Sequence, residues 1–224
     1  MCFLSIMDNK TETLTIGETR SAILAEIGDA VTLVAVSKRQ SDDRLAAALA
    51  AGQRVFGENR VQEAERHWQA RRNIPDLELR LIGPLQTNKA DAAVSLFDVI
   101  ETLDREKLLT ALIRAVERTG VKPPDLLIQV NTGDEPQKAG VSISDLPALL
   151  ERARKSWPGK VRGLMCIPPV DQPPEAHFGL LKKLADQHAL PDASMGMSGD
   201  YKLAVKSGAT HIRLGTALFG PRED

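Results

Sequence analysis

A lysine stands at the end of an apolar stretch, where its amine could react with a carbonyl compound. Within the stretch Thr32 to Gln40, the residues from Leu33 to Ser37 are apolar or small, which predicts a strand buried on both faces. Lys38 follows directly, and in α/β folds ligands bind beside the carboxyl ends of the strands. An amine held there could form a Schiff base. The alternative is a lysine side chain that simply reaches solvent from a strand end.

Polar and small residues follow other predicted strands, and two such segments have the chemistry of a phosphate site. Ser198 follows one predicted strand, and Gly215 and Thr216 follow the last one, where a short helix is predicted to begin. Backbone N–H groups at the start of a helix bind phosphate together with hydroxyl groups, and the loops after strands seven and eight are the usual phosphate position in a barrel. Turns favour the same residue types, which is the alternative explanation.

Arg213 lies in the last predicted strand, next to the second of these segments. A buried guanidinium is unfavourable unless it meets an acceptor or an anion. A ring nitrogen or a carboxylate of a ligand would serve, and a structural ion pair is the alternative. The 4 histidines are dispersed, without the spacing of metal ligands, so we expect no metal site. Lys89 and Lys138 are expected to be solvated.

These residues need a scaffold that brings distant strand ends together. Eight predicted buried strands, each followed by a helix or a helical tail, alternate along the chain, which predicts parallel strands with right-handed crossovers. This α/β pattern favours a closed (β/α)8 TIM barrel over an open sheet. We predict a single barrel over residues 16–224, preceded by a poorly ordered amino-terminal arm over residues 1–15.

Composition and charge argue against several classes of function. The formal net charge is −1 and the basic residues are spread along the chain, so no nucleic-acid surface is indicated. No apolar run approaches the roughly 18 residues of a membrane span, and the amino terminus lacks the features of a signal peptide. Cys2 and Cys166 are too few for a disulfide framework and favour a reducing, cytoplasmic location.

Seven segments carry most of these residues: in chain order, they are AVSK, FGENRVQE, LIGPLQTNK, VNTGDEPQKAG, GLMCIPP, SMGMSGD and HIRLGTALFG. Together these segments resemble the pyridoxal 5′-phosphate homeostasis protein family. The resemblance implies the fold-type III barrel that this family shares with the N-terminal domain of alanine racemase. One departure is visible at Arg80 and Leu81, where family members often carry histidine and an aromatic residue.

The resemblance also implies a cofactor site. Pyridoxal 5′-phosphate would be held as a Schiff base on Lys38, with its phosphate on the loops after strands seven and eight and its ring nitrogen facing Arg213. The implied cofactor-binding residues are Lys38, Asn59, Met195, Gly196, Ser198, Arg213, Gly215 and Thr216.

Two functions compete for such a site, a protein that binds and exchanges the cofactor and an enzyme such as an amino-acid racemase. Racemisation needs an acid or base on each face of the ring. In alanine racemase the group opposite the lysine is a tyrosine brought by a second domain, whereas the only tyrosine here, Tyr201, is predicted to pack within a helix. An arginine at the ring nitrogen also disfavours its protonation and weakens the cofactor as an electron sink.

A Schiff-base aldolase would need a base near Lys38, and the nearest candidate, Glu58, is predicted instead to begin a helix. We therefore predict a protein of intracellular pyridoxal phosphate homeostasis without catalytic residues. Its expected partners are the cofactor and pyridoxal-phosphate-dependent apo-enzymes, with no nucleic acid and no membrane, and its expected state is a monomer.

Overall fold

The computed structural model describes residues 14–221. Within this range eight parallel strands follow one another around a closed barrel in which β8 pairs with β1, so the predicted (β/α)8 TIM barrel is confirmed. The strands are β1 (Thr32–Val36), β2 (Val55–Glu58), β3 (Glu78–Leu81), β4 (Val99–Leu103), β5 (Asp125–Gln129), β6 (Val161–Met165), β7 (Asp192–Ser194) and β8 (His211–Leu214). The α-helices are α1 (Ile16–Ile27), α2 (Asp42–Ala50), α3 (Val61–Trp68), α4 (Ala90–Leu96), α5 (Glu106–Thr119), α6 (Leu146–Ser156), α7 (Pro174–Gln187), α8 (Tyr201–Lys206) and α9 (Thr216–Phe219).

The two faces of each strand meet different surroundings. In β1, Leu33 and Ala35 belong to the large apolar core that the strands share with the surrounding helices. Because side chains alternate along a strand, Val34 and Val36 point into the barrel, and the same alternation directs Lys38 toward the barrel mouth. A small apolar cluster, Val99, Leu127 and Met165, fills part of the interior.

Local sequence signals mark both ends of the first helix. The Thr15 hydroxyl accepts the Glu18 N–H at 3.2 Å, and the Glu18 carboxylate accepts the Thr15 N–H at 2.8 Å, which together form a capping box. Gly28, with φ of +71°, follows the helix. Of the predicted amino-terminal arm, residues 1–13 lie outside the described residues. Among residues 14–221, no helix combines the length and the apolar character that a membrane crossing requires.

Candidate functional site

A cavity of about 290 Å³ opens at the carboxyl ends of the strands, close to the lower end of the range for small-molecule sites. It brings together residues that follow β1, β2, β3, β6, β7 and β8, which are far apart in the sequence. Six of the eight residues predicted to bind a cofactor line it, and Ile167 and Met197 contribute apolar walls. The lining residues are Val36, Lys38, Asn59, Ile82, Ile167, Met197, Ser198, Gly199, Arg213, Gly215 and Thr216.

The loops after β7 and β8 form one wall of this cavity. The Ser198 hydroxyl oxygen accepts the Ala217 N–H of α9 at 3.1 Å, which ties the two loops together and leaves the hydroxyl proton for a ligand. Thr216 is exposed and adds a second hydroxyl. A side-chain carbon added to Gly199 would meet no atom within 4 Å. The open space and the two hydroxyl donors fit a phosphate group.

Arg213 is 3% exposed, yet its side chain reaches the cavity wall. Its Nη1 donates to the Ser194 hydroxyl at 2.7 Å, and its Nη2 donates to the Cys166 carbonyl at 2.8 Å. The Ser194 hydroxyl donates in turn to Glu101 Oε2 at 2.6 Å. Among the described residues the guanidinium is therefore held by neutral acceptors and is linked to a carboxylate only through a hydroxyl, so that its charge remains at the cavity.

Beneath Arg213 the barrel interior contains a buried charged network. Arg80 Nη1 donates to Glu101 Oε1 at 2.8 Å, and Arg80 Nη2 lies 2.9 Å from His211 Nε2. Burial raises the pKa of Glu101, but the charges of Arg80 and Arg213 outweigh this effect and the pKa is lowered. Burial, followed by the charge of Arg80, lowers the pKa of His211 to about 3. His211 is therefore neutral and accepts a hydrogen bond, and it does not contact the cavity directly.

The turn that carries Lys38 is held from outside the barrel. The Ser37 hydroxyl donates to Glu58 Oε1 at 2.7 Å, and the Arg39 N–H donates to Glu63 Oε1 at 2.5 Å. The prediction that Glu58 begins a helix is wrong, because Glu58 is the last residue of β2. The alternation of side chains along this strand places its fully buried carboxylate under α3. The hydrogen bond to Glu58 raises the pKa of His67.

Two predicted site residues, Met195 and Gly196, do not line the cavity. Met195 alternates with the inward-facing Ser194 and packs in the outer apolar core. Gly196 has φ of +92°, and its carbonyl accepts the Arg213 N–H at 3.0 Å. The left-handed glycine interrupts the alternation after Met195, which explains why Met197 lines the cavity.

The other two lysines considered above do not line the cavity. Lys138 pairs with Glu135 at 2.7 Å, and Lys89 lines a separate surface cavity. Sequence reasoning missed Glu101 and gave no role to Ser194 at the end of β7, and both residues support Arg213. A carboxylate within the short, fully buried strand VIETL was the available signal for Glu101.

Comparison with known proteins identifies the family. The family model of the alanine racemase N-terminal domain matches residues 21–223. The pyridoxal phosphate homeostasis protein of Pasteurella multocida is 41% identical over 207 residues, covering 87% of this chain and 88% of that protein. The protein of the same name from Escherichia coli is 37% identical over 205 residues, covering 86% of each.

Solved structures agree with this assignment. PipY of Synechococcus elongatus, solved with pyridoxal phosphate bound, is 39% identical and superimposes with a TM-score of 0.83, covering 92% of this chain and 100% of that chain. An alanine racemase of Clostridium difficile, at 12% identity, shares the fold with a TM-score of 0.73 over 94% of this chain and 57% of its own. The chain therefore belongs to the pyridoxal phosphate homeostasis protein family, within the alanine racemase N-terminal domain family.

Proposed function

We propose that the protein binds pyridoxal 5′-phosphate on Lys38 and exchanges it as part of intracellular pyridoxal phosphate homeostasis. The observation that carries the proposal is the cavity that joins an amine after β1, two hydroxyls after β7 and β8, and a guanidinium on β8. Lys38 would hold the aldehyde carbon of the cofactor as a Schiff base, with loss of water. The family assignment and the cofactor bound to PipY support the same conclusion.

Each wall of the cavity has a distinct part in binding. Ser198, Gly215 and Thr216 would hold the phosphate, since hydroxyl and backbone donors form charge-assisted hydrogen bonds to an anion. Arg213, oriented by Ser194 and the Cys166 carbonyl, would face the ring nitrogen and disfavour its protonation.

Three further predicted residues complete the proposed site. Asn59 lines the cavity at the end of β2. Met195 and Gly196 would act from behind the wall, Gly196 by fixing the backbone of Arg213.

The lining favours a binding protein over a racemase. Among the described residues that line the cavity there is no histidine, carboxylate, cysteine or tyrosine that could serve as the second acid or base of a racemase. The Tyr201 hydroxyl donates to Glu26 at 2.6 Å instead of pointing at the site. We therefore propose that this chain does not racemise amino acids at ordinary enzymatic rates. Relatives named as homeostasis proteins, not as enzymes, are in keeping with this proposal.

Spectroscopy and mapping of the covalent adduct test the proposal. The purified protein mixed with pyridoxal phosphate should develop the visible absorbance band of a Schiff base, and borohydride reduction should fix the cofactor on Lys38. Lys38→Ala should lose the band, whereas Lys89→Ala and Lys138→Ala should retain it. An adduct that maps to Lys89 or Lys138, or a band that survives in Lys38→Ala, would refute the assignment.

A second assay separates carrier from enzyme. The loaded protein is incubated with a panel of amino acids, and products are detected by chiral chromatography and keto-acid formation. Turnover above about one per second that is lost in Lys38→Ala would support the racemase alternative. The monomeric state, the apo-enzyme recipients and the cytoplasmic location remain predictions.

A further inference from the structure

The turn that carries Lys38 has an unfavourable backbone conformation. Arg39 has φ of +59°, in the left-handed region that residues with a side chain seldom adopt. The Gln40 N–H donates to the Ser37 carbonyl at 3.1 Å, which closes the turn around Lys38 and Arg39. Strained residues of this kind persist only where their surroundings hold them, and they concentrate at ligand-binding sites.

Two carboxylates hold this turn, one on each side of Lys38. Glu58 accepts from the Ser37 side chain at 2.7 Å, and Glu63 accepts from the Arg39 backbone at 2.5 Å. Both glutamates come from β2 and the first turn of α3, outside the cavity. The residues before and after Lys38 are therefore each attached to the same neighbouring βα unit.

Glu58 is unusual for a residue with a purely structural role. It is fully buried, and its Oε1 also accepts from Trp68 Nε1 at 3.0 Å and lies 2.8 Å from His67 Nδ1. Its Oε2 has no hydrogen-bond partner among the described residues. A buried, incompletely paired carboxylate is unfavourable, and a well-packed apolar residue is often neutral or stabilising at such a position. Stability alone therefore does not account for a carboxylate at this position.

We propose that Glu58 and Glu63 are positioning residues for Lys38: Glu58 holds the side chain of the preceding residue, Glu63 holds the backbone N–H of the following residue, and together they aim the Lys38 amine into the cavity. The proposal rests on the proposed function, in which Lys38 carries the cofactor. Neither carboxylate lines the cavity, so both act through the conformation of the turn and not by contact with the ligand.

Substitutions at Glu63 test the proposal, since this residue is half-buried and its replacement should leave the fold intact. Glu63→Ala removes the acceptor for the Arg39 N–H, and Glu63→Gln keeps an oxygen at the same place. Glu65→Ala, at an exposed position of the same helix, is the matched control. Ser37→Ala tests the Glu58 side of the turn without creating a buried uncompensated charge.

Two readouts separate positioning from stability. In the cofactor-free protein, hydrogen exchange at the Arg39 amide should be at least about tenfold faster in Glu63→Ala. The apparent dissociation constant for pyridoxal phosphate, read from the Schiff-base band, should rise about tenfold, equivalent to about 1.4 kcal/mol. Glu63→Gln should keep the exchange rate and the dissociation constant close to their wild-type values, and Glu65→Ala should match the wild type. Ser37→Ala should raise the dissociation constant, as Glu63→Ala does.

The outcomes are distinguishable. Faster exchange in Glu63→Ala with unchanged cofactor affinity would overturn the positioning role while leaving the proposed function intact. Unchanged exchange together with unchanged affinity would also overturn it. A wild-type protein that forms no Schiff-base band would refute the proposed function and, with it, the positioning role of the two glutamates.

Discussion

Glu101 provides the sharpest test of how the barrel keeps two buried arginines beneath the cavity. Its carboxylate is 0% exposed and accepts from Arg80 and from Ser194, which in turn accepts from Arg213. Glu101→Gln removes the charge of the one carboxylate to which both guanidinium groups are linked, Arg80 directly and Arg213 through Ser194. Breaking a buried pair in this way costs about 3–5 kcal/mol. We expect the lower end of this range, because Glu78 still accepts from Arg80 Nε.

A loss of about 3 kcal/mol is a large part of the roughly 5–15 kcal/mol that stabilises a typical domain. For a chain of this size it corresponds to a decrease in Tm of about 6–12 °C. Urea unfolding followed by circular dichroism measures the free energy of unfolding directly, with the slope against urea as a check on two-state behaviour. Glu78→Gln is the matched control, since its partly exposed carboxylate should contribute no more than about 1 kcal/mol.

The pH dependence gives the same experiment a second criterion. Because the folded-state pKa of Glu101 is lowered, its stabilising contribution is complete above its unfolded pKa, about 4.3, and is lost as pH falls through the folded value. The difference between wild type and Glu101→Gln should therefore be constant near neutral pH and decrease in acid. A difference below about 1 kcal/mol at pH 7, or one that increases in acid, would refute the reasoning.

Three further predictions concern the site and its frame. Pyridoxal without its phosphate should bind at least about a hundredfold more weakly than pyridoxal phosphate. A competition titration that gives equal affinities would exclude a phosphate site at Ser198 and Thr216. Gly163→Ala should unfold at a lower urea concentration than the wild type, because the added carbon would lie 2.2 Å from a carbonyl oxygen of β7. In the control, Gly179→Ala on α7, the added carbon would meet nothing within 4 Å, so the stability should be unchanged or increased. Equal urea midpoints for the two variants would contradict this prediction. His211, with its pKa lowered to about 3, should show no titration between about pH 5 and 8 in NMR spectra, and a midpoint in that interval would show that it is accessible to protons.

Local signals were sufficient for most of the fold. The bounds of α1 follow from a capping threonine, a helical apolar stripe and a terminal glycine, all within neighbouring residues. The alternation of buried strands with helices predicts the barrel, and the barrel in turn places the residues after each strand at one mouth. This is why Lys38, Ser198, Arg213, Gly215 and Thr216 could be assigned to one site before their distances were known.

The partners of these residues depend on contacts that the sequence does not announce. Glu101 lies 93 positions from Ser194, and only barrel closure brings their side chains into the same layer. Glu58 resembles a helix-starting carboxylate in sequence, but the register of β2 against β1 directs it outward under α3 and onto the turn of Lys38. Local propensity and alternation therefore determine which elements form and where the reactive residues stand. The tertiary structure decides which distant charges compensate them, because hydrogen bonds between strands depend on register and closure and not on neighbouring residues.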